Sequence, residues 1–340
     1  MRDLPQDLRT ALIRLDLLAA DTPATAEPLT GGVSSDIWRV DLPDGPICIK
    51  RALAKLKVDA NWQVPVERNK YEISWLETVA AIAPSAAPRL LGRCEEDGLF
   101  AMEYLDPVVF PLWKSELMAG RADSDFAASV GATLGRIHAA TADDAAVAAR
   151  FDSADIFHAI RLEPYLEATA RRHPDLSVAL QELVTVTADT RRALVHGDVS
   201  PKNILVGGKG PVFLDAECAC FGDPAFDLAF CLNHLLLKCL HRPDAAAAYL
   251  DCFTAMSGTY LPAVDWEDRA ALEQRVAHLL PGLLLARVDG KSPVEYLEDP
   301  RQHACVRDFA RILLEAPVPR LETLRDRWAD AIANHRGAAA

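Results

Sequence analysis

The chain has 340 residues, half of them hydrophobic, and a formal net charge of −13. A chain of this length can bury a large core and is expected to divide into two lobes. The acidic balance argues against phosphate-backbone binding and offers no basic tail to an anionic membrane, so neither a nucleic-acid nor a membrane partner is expected.

The eight cysteines are scattered, with no CxxC pair and no zinc spacing, and read as reduced core residues; Cys218 and Cys220 are read as packing residues too. The opening MRDLPQDLRT does not read as a signal peptide, and no uninterrupted apolar run approaches a membrane span, so a soluble cytoplasmic enzyme is expected.

In chain order, Gln6 to Ala20 carries Leu8, Leu12, Ile13, Leu15 and Leu17, which predicts a helix with a broad apolar side. The Pro- and Ala-rich stretch Asp21 to Pro28 reads as a linker. LTGGVSSDIWRVDLPDGPICIKRA then reads as three antiparallel strands turning at Gly31-Gly32 and at Pro43-Asp44-Gly45, and Ile47-Cys48-Ile49 is a buried strand presenting Lys50. A helix over Val66 to Ala81 has Ile73, Leu76 and Val79 on its buried side and carries Glu67 and Glu72; Pro84 to Pro88 ends it. Two strands follow around the Glu95-Glu96-Asp97-Gly98 turn, the second from Leu99 to Leu105. From Phe110 onward the pattern is helical, with helices predicted at Ser129 to Ala140, Leu228 to Leu240, Ala245 to Ser257, Trp266 to Val288 and Leu321 to Asn334. His138 reads as a core or capping histidine, and the charged stretch Arg287 to Tyr296 either faces a ligand or is a solvated helix connection.

The chemistry concentrates in Leu194 to Phe230, LVHGDVSPKNILVGGKGPVFLDAECACFGDPAFDLAF, which reads as strand, loop, strand, loop, helix. Ile204 to Leu214 is long enough for a hairpin turning at Gly207-Gly208-Lys209-Gly210, so Asp198, Asn203 and Asp215 fall at the ends of neighbouring strands and can converge. Phosphoryl transfer needs a carboxylate to orient the attacking hydroxyl and oxygen ligands that hold magnesium on the phosphates; an Asp, an Asn five positions on and a second Asp beyond the next strand supply both. Asn203 and Asp215 suit a hard cation and would suit zinc poorly.

His196-Gly197-Asp198 through Asn203, Asp215-Ala216-Glu217, and Gly222-Asp223-Pro224 with Asp227 resemble the core of the aminoglycoside phosphotransferase and choline kinase family. The resemblance implies an α+β, two-lobed protein-kinase-like fold, with a small antiparallel-sheet lobe at 1–105 and a larger, mainly helical lobe at 106–340. It implies ATP and Mg2+, with Asp198 as catalytic base, Asn203 and Asp215 as metal ligands, and Asp227, with His196, supporting the catalytic loop. Glu217 would either reach the same metal or order its loop. By the same resemblance Gly31, Gly32, Ser34 and Ser35 would cover the phosphates, and Lys50 would pair with them. Glu72, with Glu67 as the alternative, would hold that lysine, Met102 would face the nucleotide, and the backbone of Glu103 to Leu105 would bond the adenine.

IKRAL, ERNKYE, MEYLDP and the long Lys57 to Glu67 segment resemble the first lobe of the methylthioribose kinases. The second lobe departs from that branch, because near Leu283 to Val288 there is only Arg287 and no adjacent Arg-Arg pair. Arg287 and Trp113 are the acceptor-side candidates. The expected activity is transfer of the γ-phosphoryl of ATP to a hydroxyl of a sugar, amino alcohol, aminoglycoside or hydroxy acid. The alternative is a catalytically silent nucleotide-binding pseudokinase.

Overall fold

The computed structural model describes residues 2–29, 35–52, 68–94 and 96–337. Six strands form one antiparallel sheet: β1 (Arg2–Asp3), β2 (Thr25–Pro28), β3 (Ser35–Leu42), β4 (Gly45–Ala52), β5 (Leu90–Cys94) and β6 (Leu99–Glu103), in the spatial order β1-β2-β3-β4-β6-β5. β3 and β4 close on the Pro43-Asp44 turn, with Leu42 opposite Gly45; Gly45 has φ +120°, a conformation that suits glycine.

Strand alternation explains how this sheet serves two environments at once. On β4, Ile47 and Ile49 point into a small core with Leu8, Leu12, Leu99 and Ala101, whereas Cys48 and Lys50 point the other way, into the cleft. Leu8 and Leu12 come from α1 (Gln6–Arg14), which caps that face. The helix is shorter than its apolar pattern predicts. Asp16, at φ +57°, takes the left-handed conformation, with Asp16 N–H donating to Ile13 O (3.1 Å) and Leu17 N–H to Leu12 O (3.0 Å). That pair of bonds is a Schellman stop made without glycine, so the apolar periodicity ran on past it. The expected linker is half strand: Ala26 of β2 is buried and pairs with Val40.

The cleft face of the sheet packs on α2 (Arg68–Ile82), which buries Ile73, Trp75, Leu76 and Val79. The expected start at Val66 and the alternative Glu67 lie outside the described residues.

The rest is mainly helical, built around α4 (Pro224–His241), in which every residue from Pro224 to Leu240 is buried. Asp223 caps it, accepting the Ala225 N–H at 3.0 Å, and Pro224 starts the first turn where its missing N–H costs nothing. Around it lie α3 (Ser124–Thr141), α5 (Ala246–Tyr260), α6 (Arg269–Asp289), α7 (Pro300–Glu315) and α8 (Leu321–Gly337). α3 and α5 approach closely because of glycine: a Cβ on Gly131 would lie 2.2 Å from the Met256 carbonyl oxygen. No described helix is long and apolar enough to cross a membrane.

Candidate active site

Two short antiparallel ladders carry the site. β7 (Ala193–Val195) pairs with β10 (Cys220–Gly222), and β8 (Ile204–Gly207) forms the expected hairpin with β9 (Gly210–Phe213). The loop from His196 to Asn203 leaves β7 and enters β8. Gly197 turns it at φ +78°, and a Cβ there would fall 2.7 Å from the Cys218 carbonyl oxygen, so both conformation and space require glycine.

Asp227, in the first turn of α4, anchors this loop: its two carboxylate oxygens accept the backbone N–H groups of His196 (2.7 Å) and Gly197 (2.8 Å). His138 Nε2 sits 3.3 Å from the same carboxylate, and its Nδ1 lies 2.8 Å from the Tyr260 hydroxyl, so the residue is fully buried in a polar chain running back into the core. Burial lowers the pKa of His196. As the neutral ring its Nε2–H donates to Leu214 O (3.1 Å) while Nδ1 accepts the Asp198 N–H (3.1 Å), which ties the loop to the strand leading to Asp215.

Asp198 is buried between two cations. Its Oδ2 lies 2.8 Å from Arg161 Nη2 and 3.0 Å from Lys202 Nζ, and its Oδ1 accepts the Ser200 hydroxyl at 3.2 Å. Burial alone would raise its pKa, but Arg161 and Lys202 outweigh it and hold the carboxyl well below the usual range. Asn203 Nδ2 donates to the Asp198 carbonyl (3.1 Å), which fixes the amide plane. Asp215 holds a left-handed conformation at φ +66°, unusual for a residue with a Cβ and typical of functional loops.

Lys50 bridges the lobes. Its Nζ lies 2.7 Å from the Glu72 carboxylate and also bonds Asp215 Oδ1, with Lys50 and Glu72 both buried. Burial disfavours the charged ammonium, but Asp215 and Glu72 more than compensate and keep Lys50 protonated.

A cavity of about 430 Å³ opens on this point, lined among others by Ser35, Lys50, Glu72, Met102, Glu103, Leu105, Asn203 and Asp215. Residues expected from distant stretches thus come together, with Asp198 joined to the set through Asn203. Gly31, Gly32 and Ser34 lie outside the described residues.

Four expectations change. Glu217 accepts from Arg68 Nε at 2.9 Å, with both groups buried, so of its two readings the geometry favours ordering the loop over ligation. The Glu103 N–H is committed to the Arg89 carbonyl (2.9 Å), so any adenine contact there falls to the Glu103 carbonyl or to Tyr104 and Leu105. Trp113 is 1% exposed and packs against Phe126 at a ring separation of 5.4 Å, which places it in the core, and it does not line the cavity. Arg287 is buried and does not line the cavity; its Nη1 donates to the Tyr165 hydroxyl at 3.2 Å and to Ser292 Oγ at 3.1 Å.

Arg161 was missed. It projects from a π-helix, His158–Glu167, and donates to the Gly197 carbonyl as well as pairing with Asp198. An arginine inside a proline-containing helical segment carries no motif; only the fold brings it to the loop. Lys202, four residues after Asp198, could have been found from the i, i+4 spacing.

Two oxygen-bearing side chains, Asn203 and Asp215, sit together at the cavity, a donor set that suits magnesium completed by phosphate and water oxygens. Among the described residues no cluster of three or more His, Cys, Asp or Glu forms a protein-only metal cage.

A small antiparallel sheet, a helix whose glutamate holds a sheet lysine, and a helical body carrying an Asp–Asn–Asp loop define a two-lobed, protein-kinase-like α+β fold. The chain belongs to the phosphotransferase enzyme family APH, whose model matches residues 25–258. It is 24% identical over 244 residues to the methylthioribose kinase of Exiguobacterium sibiricum, a match covering 64% of this chain and 62% of that one. The chain therefore spans about three fifths of that relative's length. Among solved structures, a macrolide 2′-phosphotransferase from Brachybacterium faecium superposes with a TM-score of 0.52 at 19% identity, covering 96% of this chain and 98% of that chain. An amicoumacin kinase in complex with AMP-PNP and Ca2+ superposes with a TM-score of 0.54 at 11% identity, covering 92% and 95%.

Proposed function

We propose that this chain is a small-molecule kinase that transfers the γ-phosphoryl of ATP to a hydroxyl group. The observation that carries the reading is the bridge of Lys50 between Glu72 and Asp215, in the cavity that Asn203 also lines and next to Asp198. Residues 1–105 would form the lobe that holds the nucleotide, and 106–340 the lobe that carries the loop and the acceptor.

In this reading Lys50 binds the α- and β-phosphates, and Ser35 with the neighbouring glycines covers them. Asn203 and Asp215 would hold Mg2+, which when bound would neutralise phosphate charge. Asp198 Oδ1 takes up the acceptor hydroxyl. The hydroxyl oxygen forms the new bond to Pγ, the bond from Pγ to the bridging oxygen breaks, and ADP leaves with its electron pair. The hydroxyl proton passes by way of Asp198 to solvent, so the products are a phosphomonoester, ADP and H+. A carboxylate held so far into its ionised range has little proton affinity, so its main contribution is orientation of the hydroxyl, in keeping with a loose transition state.

The test is Mg2+-dependent ADP formation over a panel of hydroxy compounds. The expected result is turnover with at least one acceptor and none with Asp198→Ala, while MgATP still raises the Tm of that variant. Full activity of Asp198→Ala overturns the assignment. Binding of MgATP without turnover over the whole panel would favour the silent pseudokinase.

A further inference from the structure

Asp198 has two cationic partners, and they differ in how firmly they are held. Arg161 approaches Oδ2 from the core: 8% of its side chain is exposed, and it also donates to the carbonyl groups of Gly197 and of Ile160 (2.9 Å), so its guanidinium is tied at three places. Lys202 approaches the same oxygen from the cleft, and 54% of its side chain is exposed. Among the described residues Asp198 is the one carboxylate with which its ammonium pairs. The backbone beneath that ammonium is fixed, because Pro201–Asn203 is a single 3₁₀ turn with Pro201 and Asn203 buried, and the Asn203 N–H donates to Ser200 O at 2.8 Å. A rigid turn thus presents a long, singly tethered cation to the cleft.

Lys202 lines the same cavity as Lys50, Asn203 and Asp215, whereas Arg161 and Asp198 do not. Its ammonium is therefore where the cavity and the catalytic carboxylate meet. Among the described lining residues Lys50 and Lys202 are the two cations, and their surroundings are unlike. Lys50 is held between Glu72 and Asp215, while Lys202 stands over Asp198. Asp198 raises the Lys202 pKa above the ordinary lysine value, with Asp215 adding to the effect, so the group stays charged. A γ-phosphoryl group in line for attack by a hydroxyl on Asp198 Oδ1 lies on the cavity side of Asp198, the side from which Lys202 comes. An ammonium has three N–H groups and needs only one for Asp198.

We infer that Lys202 is a catalytic residue that bridges Asp198 Oδ2 and a γ-phosphoryl oxygen of ATP, so that the group which orients the acceptor and the group being transferred share one cation. The inference rests on the kinase reading and deepens it. Lys202 donates hydrogen bonds and keeps its proton: the bond from the acceptor oxygen to Pγ forms, the bond from Pγ to the bridging oxygen breaks with its electron pair going to ADP, and the hydroxyl proton leaves by way of Asp198. Arg161, on the core side, keeps Asp198 ionised while the ammonium turns toward phosphate. That division of roles accounts for two cations on one carboxylate.

The test uses Lys202→Met, which keeps the apolar stem, and Lys202→Arg. Its first readout needs no acceptor: calorimetric titration with MgADP and with Mg-AMP-PNP, a hydrolysis-resistant analogue that carries the third phosphoryl group. Expected for Lys202→Met is an unchanged Kd for MgADP and a Kd for Mg-AMP-PNP weakened by about threefold or more, with a Tm within about 2 °C of the wild type. The second readout is ADP formation with an acceptor that the hydroxy-compound panel yields. There kcat should fall by about 100-fold or more with the acceptor KM changed by about threefold or less, and Lys202→Arg should recover at least about a tenth of the wild-type kcat. Equal loss of affinity for the two nucleotides, or loss for neither, overturns the inference before any acceptor is known. A kcat deficit that vanishes at about pH 8.5, where Asp198 is ionised with or without its lysine, also overturns it, since Lys202 would then be a counter-ion alone. Failure of the wild type to bind either nucleotide removes the kinase reading and this inference together, whereas wild-type binding that the variant leaves unaltered removes the Lys202 assignment by itself.

Discussion

Arg161 places its guanidinium 2.8 Å from Asp198 Oδ2 while also donating to the Gly197 carbonyl, so one buried side chain fixes both the charge and the backbone of the catalytic loop. Lys202 shares the carboxylate from the more exposed side. The proposed base is therefore held rigid as well as ionised.

Arg161→Met tests this. Removing one partner of a buried pair typically costs about 3–5 kcal/mol, so a large fall in Tm is expected. The pH dependence gives a sharper readout. Because the folded-state pKa of Asp198 lies below its ordinary value of 3.8, the pair contributes stability that is fully present above that value and is lost as pH falls through the folded value. Without Arg161, burial gains weight and the pKa rises, so the acid limb of both kcat/KM and stability should move toward neutral pH. An unmoved acid limb would count against Arg161 as a positioning residue.

Glu72→Gln removes the charge that Lys50 uses on the side of α2 and leaves Asp215 as its only carboxylate contact among the described residues. The expected result is a fall of about 10- to 100-fold in kcat/KM for ATP, with the acceptor KM little changed. Steady-state kinetics at fixed acceptor checks it.

Glu217→Gln distinguishes loop ordering from metal ligation. It removes the charge that Arg68 Nε meets at 2.9 Å, with both groups buried, so a loss of about 1–3 kcal/mol in stability is expected from denaturant titration. The Mg2+ concentration needed for activity should stay as in the wild type, whereas Asn203→Leu and Asp215→Asn should both raise it. A higher Mg2+ requirement in Glu217→Gln would restore the carboxylate to the metal site.

Gly131→Ala probes the packing behind the site. The added methyl meets a backbone oxygen at 2.2 Å, which no rotamer change can relieve, so α3 and α5 must separate. A destabilisation of about 1–3 kcal/mol is expected. A thermal melt matching that of the wild type would mean that the two helices are free to shift.

The parts of the fold that the sequence made legible are those with a local signature. The β8–β9 hairpin turns where its glycines predict, Asp227 bonds the loop N–H groups as the resemblance implied, and Lys50 meets Glu72 of α2. What escaped was set by tertiary context. The α1 stop depends on one aspartate in a left-handed conformation, which sequence does not distinguish from any other aspartate. Trp113 looks like a loop aromatic beside a ligand site until Phe126 closes over it, and Arg161 and Arg68 find carboxylates 37 and 149 residues away. Pairings over such distances leave no periodicity to read.

The π-helix that carries Arg161 has a consequence for how this chain tolerates change. A π turn accommodates about one residue more than an α turn, so removing a single residue between His158 and Glu167 would let the segment relax to ordinary α geometry. The deletion would take up the extra residue, so the flanking segments would keep their register while the side chains inside the turn, Arg161 among them, would be re-aimed away from the loop. Indels in this short segment should be far more damaging than point substitutions on its outer face, and the catalytic aspartate would lose its buried counter-ion without itself being altered.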